Sequence, residues 1–89
     1  MKIIQIDKSP DKVFKGWVDE GSFYQQFKMD GSTLTMRATV PKDIYKDYEH
    51  FAAVMGKFNP YISFLKKPIK IDGLTLKEVK RAYKEFKSL

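Results

Sequence analysis

The spacing of hydrophobic positions changes period several times along the chain. Lys2–Asp7 alternates, with Ile4 and Ile6 on one face, and predicts a short strand. Ser9-Pro10-Asp11 reads as a helix start: a serine cap, a proline at the first helical position and an acid in the first turn. Val13, Phe14, Trp17 and Val18 follow at i, i+1, i+4 and i+5, one stripe of a helix that Gly21 ends. Residues 22–40 return to period two around Asp30-Gly31, a dipeptide suited to a two-residue type I′ hairpin turn. A turn there pairs Met29 with Ser32, Phe27 with Leu34, Gln25 with Met36 and Phe23 with Ala38. That face is apolar apart from Gln25 and is expected to meet the core. The opposite face carries Tyr24, Gln26, Lys28, Thr33, Thr35, Arg37 and Thr39, with Tyr24 across from Arg37.

Pro41 opens a second helical pattern, with Ile44, Tyr48, Phe51, Ala52 and Met55 on one stripe and Gly56 as its stop. Residues 57–67 read as a turn at Asn59-Pro60, then an apolar run that fits a short strand or one helical turn. Pro68-Ile69-Lys70-Ile71-Asp72 predicts a strand, edge-placed because of its proline. Thr75-Leu76-Lys77-Glu78 is a capping box, and Leu76, Val79, Tyr83 and Phe86 mark the buried stripe of a terminal helix. The predicted order is β-α-β-β-α-β-α in a single α+β domain over residues 1–89. Its first six elements follow the ferredoxin-like split βαβ plan, an antiparallel sheet with an added C-terminal helix.

Composition supports one core. The chain has 89 residues, with 43% hydrophobic and 15% aromatic, and bulky aromatics supply the buried area a small domain needs. It contains no cysteine, which removes disulfides, thiolate metal sites and cysteine nucleophiles. A cysteine-free domain suits the reducing cytoplasm. The first residues lack the apolar stretch of a signal peptide, and no apolar run approaches the ~18 residues of a membrane span.

The net charge of +6 is unevenly placed. Residues 1–55 carry eight Lys/Arg and eight Asp/Glu, whereas residues 56–89 carry nine against three. Such asymmetry points to an anionic partner. Lys77, Lys80, Arg81, Lys84 and Lys87 fall on adjacent stripes of the terminal helix, and Lys66, Lys67 and Lys70 precede it. Clustered cations gather phosphates because each contact releases condensed counterions.

Catalytic chemistry finds little support. The single histidine, His50, shares a helix face with Asp43 and Asp47, and a solvated polar stripe accounts for that spacing. Neither a nucleophile triad nor a glycine-rich phosphate loop is present, and no cofactor is implied. The expectation is a non-enzymatic binding domain in the cytoplasm. Its leading partner is nucleic acid, held by the basic strand-helix segment with Tyr24 and Arg37 as secondary contacts. An RNA-recognition-motif domain shares the element order and uses its exposed sheet, but its basic-glycine-aromatic consensus is absent from Thr33–Val40. The alternative partner is an acidic protein surface, docked by Phe58, Tyr61 and Phe64. That would make the chain a small inhibitor or adaptor of the kind phages and mobile elements encode. Trp17 and these three aromatics otherwise belong in the core.

Overall fold

Five antiparallel strands form one sheet in the order β4-β3-β2-β1-β5, with a helix packed on each face. The computed structural model describes residues 1–58 and 64–88. The strands are β1 (Lys2–Lys8), β2 (Phe14–Asp19), β3 (Phe23–Asp30), β4 (Thr33–Pro41) and β5 (Ile69–Lys70); the helices are α1 (Tyr48–Phe58) and α2 (Leu76–Lys87). The α+β class stands. The split βαβ order does not, because a strand, β2, occupies the place of the predicted first helix.

The reason lies in two-sided burial. Gly16, Trp17 and Val18 are all buried, since Phe14 and Val18 face α2 while Trp17 faces α1. A strand covered on both faces loses its polar alternation and imitates a helical stripe. Ser9-Pro10-Asp11 serves a hairpin instead of a helix. The Lys12 N–H donates to the Ser9 carbonyl at 2.9 Å, and the Ser9 hydroxyl accepts from the Val13 N–H at 3.2 Å. Lys12 completes this turn with a left-handed φ of 65°. Gly16 lets the sheet close: a Cβ there would overlap the Gln5 carbonyl and lie 2.9 Å from Cε1 of Phe27.

The β3–β4 hairpin forms where expected, with a shifted register. Its turn is Gly31-Ser32, so Met29 pairs with Leu34 and Phe27 with Met36. Type I′ would need a left-handed Asp30, but only Gly31, at φ 58°, is left-handed in this turn, as type II′ requires. The two-residue shift preserves the faces. A bulge at Arg37-Ala38 then moves Thr39 opposite Gln25 and Val40 opposite Tyr24. The Gln25 amide fastens it, donating to the Arg37 and Ala38 carbonyls at 3.2 and 3.0 Å, while its own oxygen accepts from the Thr39 hydroxyl at 2.6 Å.

The core has two halves. Ile3, Ile6, Phe14, Val18, Phe27 and Met29 meet Val79 and Ala82 of α2 on one face. Ile4, Trp17 and Tyr24 meet Phe51 of α1 on the other. Phe51 is fully buried, stacked on Tyr24 at 4.0 Å and edge-on to Trp17 and Phe64 at 5.6 and 5.4 Å. Truncating so enclosed a ring costs roughly 3–5 kcal/mol. The Tyr48 hydroxyl donates to the carbonyls of Ile4 and Leu65, tying α1 to β1 and the chain beside it. Burial pushes that phenol up to about 12.

Several local expectations need correction. After Pro41 the chain makes a short 3-10 turn, Lys42–Ile44, before α1 begins, leaving Ile44 exposed. Gly56 lies inside α1 and does not end it. The α2 prediction holds: Thr75 caps it by accepting from the Glu78 N–H at 3.2 Å, although Glu78 reaches back to the Asp72 N–H.

Candidate anion-binding groove

The β1–β2 tip, the β3–β4 turn and α2 meet around an open groove of about 570 Å³. Lys8 and Lys12 enter it from the tip, and Lys80 and Lys84 from the exposed side of α2. Among the described residues, Asp11 and Asp30 are the only acids lining it, so four cations outnumber two anions. The wall between them is aromatic. Phe14 and Tyr83 meet edge-to-face at 5.5 Å, and the Lys8 Nζ stands 5.7 Å from each ring centroid. Lys87 extends the arrangement, its Nζ 5.5 Å from Tyr83 and 5.7 Å from Phe86. Each such cation–π contact is worth roughly 0.5–1 kcal/mol at an exposed site and orders a side chain that would otherwise sample solvent. Ammonium groups beside aromatic rings suit an anion that carries flat or apolar parts.

Lys8 and Lys12 were not among the cations expected to bind. They belong to the charge-neutral part of the chain, and only a hairpin brings them to α2. The signal was present in Ser9-Pro10-Asp11, which fits a type I turn with proline at its second position as well as a helix start.

The structure divides the predicted basic segment. Lys80 and Lys84 line the groove, and Lys77 and Lys87 are exposed on the same helix. Arg81 is engaged structurally. Its guanidinium donates to Glu78 at 2.8 Å, to Glu85 at 3.2 Å and to the Lys70 carbonyl at 2.8 Å, bridging α2 to β5. The hydrogen bond from Arg81, with that from the Asp72 N–H, holds the Glu78 carboxyl below its ordinary range. Lys70 sits on β5 opposite Lys2, and Lys67 is exposed before it. Lys66 lines a different cavity, of about 420 Å³, with Tyr48, Glu49 and Phe64 beside α1. None of these three lysines lines the groove.

The secondary candidates separate too. Tyr24 is buried, 2% exposed beneath Phe51, and pairs with Val40 instead of Arg37. It offers no stacking surface, because α1 covers that end of the sheet. Arg37 is exposed, and no acid among the described residues pairs with it. Of the three aromatics proposed for a protein partner, Phe64 is half-buried against Phe51, whereas Phe58 is 82% exposed at the end of α1 and is not core. Tyr61 lies outside the described residues.

His50 and Asp47 cap α1. The His50 N–H donates to the Asp47 carboxylate at 2.8 Å, and the His50 Nδ1 accepts from the Lys46 N–H at 3.1 Å. Among the described residues no three His, Asp or Glu gather as metal ligands, and no helix is long and apolar enough to cross a membrane.

Fold and groove together define a small α+β domain with a lysine-rimmed, aromatic-walled cleft. Against known proteins, the chain matches no family model, no curated protein and no solved structure at a significant level.

Proposed function

We propose that the chain is a non-enzymatic, cytoplasmic nucleic-acid-binding domain whose contact surface is the groove between the β1–β2 tip and α2. One observation carries this reading: Lys8, Lys12, Lys80 and Lys84, from distant parts of the chain, converge on one cleft walled by Phe14 and Tyr83. Phosphates would lie along the lysine rim, with bases or sugars against the exposed edge of Tyr83. Lysine is a point charge without a fork of donors, so contacts of this kind are strong in sum and weak in sequence preference. The basic surface extends towards Lys77 and Lys87 on the same helix, while Lys66, Lys67 and Lys70 add to the general positive field. Fluorescence anisotropy with labelled single-stranded and duplex oligonucleotides in low salt tests the reading. Saturable, salt-sensitive binding of either supports it, and no binding of either refutes it.

A second reading rests on Phe58, whose ring is 82% exposed. An apolar ring so placed beside Lys57 suits an acidic protein partner, as in a small inhibitor or adaptor. Loss of a captured protein on Phe58→Ser, with capture resistant to nuclease, favours this version.

A further inference from the structure

We propose that the free edge of β4 receives an extended segment of a partner protein, a strand that alternates apolar with acidic side chains. β4 ends the sheet, with nine residues against two in β5 at the opposite edge. Among the described residues it pairs with β3 alone, and every one of its residues except Val40 is exposed. Edge strands are usually blunted by charges, prolines or shortness. Between Thr33 and Met36 this edge has none of these; the Arg37-Ala38 bulge follows in mid-strand, and Pro41 lies at the far end.

The ladder shows which groups are unused. Asp30 and Thr33 close a two-residue turn, so Thr33 and Thr35 direct their N–H and C=O groups towards β3. By alternation, those of Leu34 and Met36 point outward, spaced to bond an added strand. The two faces beside that edge then set the chemistry of the occupant. On the α2 face, Leu34 and Met36 continue the core row of Met29 and Phe27 yet remain 38% and 44% exposed. Apolar side chains of an incoming strand would cover them. On the opposite face lies Thr35, then Lys28 paired directly with Lys15, and the exposed Arg37. Like charges directly opposite destabilise a sheet, and Asp7, across from Lys15, is the only acid in that row. A strand on the β4 edge would stand roughly 5 Å from the β4 backbone and 10 Å from that of β3, within about one Debye length of Arg37 and Lys28. Its side chains on that face are therefore acidic.

Charge also decides against a second copy. Pairing of β4 with β4 about a twofold axis keeps equivalent faces on one side, so it would add another Lys15, Lys28 and Arg37 to the same surface, between chains of net charge +6. This surface shares no residue with the groove lining, and its occupancy stands or falls independently of the groove's.

The test uses the full chain labelled with 15N and a capped synthetic peptide alternating valine with glutamate. Titration is expected to shift the Leu34 and Met36 amides and to slow their exchange with solvent. The peptide with lysine in place of glutamate should bind at least about ten-fold more weakly. Arg37→Glu should shrink that preference. Methylating the peptide nitrogens that face β4 should abolish binding without touching the protein. The proposal is overturned if the glutamate peptide leaves Leu34 and Met36 unshifted, if the lysine peptide binds equally, or if the methylated peptide binds as well. Sedimentation showing that the chain dimerises through β4 would overturn it too.

Discussion

Replacing Lys80 and Lys84 with glutamine removes half of the lysines that line the groove. Both side chains are exposed and neither is ion-paired among the described residues, so the fold should tolerate the change. Each phosphate that a protein neutralises on duplex DNA contributes about −0.9 to the slope of log K against log salt, or about −0.7 on a single strand. Four lysines in contact set a slope near −3.6 on duplex, and losing two should bring it to about −1.8. Anisotropy titrations at several salt concentrations, on native and variant protein with one oligonucleotide, read both slopes. The same experiment on Lys66→Gln/Lys67→Gln should change the slope far less, since neither residue lines the groove. Equal slopes for the native protein and the Lys80/Lys84 variant would refute the placement of the site. Arg81 makes a poor substitute for this pair. Its contacts to Glu78, Glu85 and the Lys70 carbonyl mean that a loss of binding on changing it would confuse affinity with folding.

Gly16→Ala should destabilise the chain by roughly 2 kcal/mol or more, because overlap with the Gln5 carbonyl cannot be relieved by moving a side chain alone. For a domain of this size that is a fall in Tm of about 10 °C, readable by circular dichroism; a variant as stable as the native chain would contradict the close β1–β2 approach. Tyr48→Phe should cost about 1–2 kcal/mol by leaving the Leu65 carbonyl without its hydroxyl donor. Because the folded phenol is raised from 10.0 to about 12, the native chain should lose stability as pH climbs through that interval, and the variant should lose less. Chemical denaturation at stepped alkaline pH checks this, and parallel pH curves would count against it. Glu78 has the opposite sign. Its carboxyl is lowered from 4.5, so its contribution is complete above that pH and fades as acid protonates the folded form. The stability gap between native and Glu78→Gln should therefore close at low pH, and a constant gap in thermal melts from pH 7 to 3 would show that the ion pair does not act this way.

The elements legible in the sequence are those whose pattern had a single physical solution. The terminal helix is one: Thr75 and Glu78 mark its start, and Val79 and Tyr83 fall on its packed side. Ala82 completes that stripe, and an alanine carries too little hydrophobic weight to announce it. The hairpin at Gly31 is another, read two residues out of register because Asp30-Gly31 was assigned the type I′ conformation that Gly31-Ser32 avoids. β2 was hidden for a different reason. Its period of two is visible only once one knows that Phe14 and Val18 serve one core and Trp17 the other, and that depends on two helices on opposite faces of one sheet.

The same two-sided arrangement explains why only part of the groove was legible. Lys80 and Lys84 were legible because a capped amphipathic helix displays its polar side whatever it packs against. Lys8 and Lys12 were not, since their nearness to α2 follows from a hairpin tip that the sequence disguised as a helix start. Tyr24 failed in the reverse direction: on a one-sided sheet its ring would have stood free, but α1 stacks Phe51 on it, and the bulge sets it opposite Val40. Net charge by segment is therefore a poor guide to which lysines share a surface. The groove draws two of its four lysines from the stretch that is neutral overall, where Lys8 and Lys12 flank a tight loop and Asp7 pairs across the ladder with Lys15. Local geometry decides which charges act together.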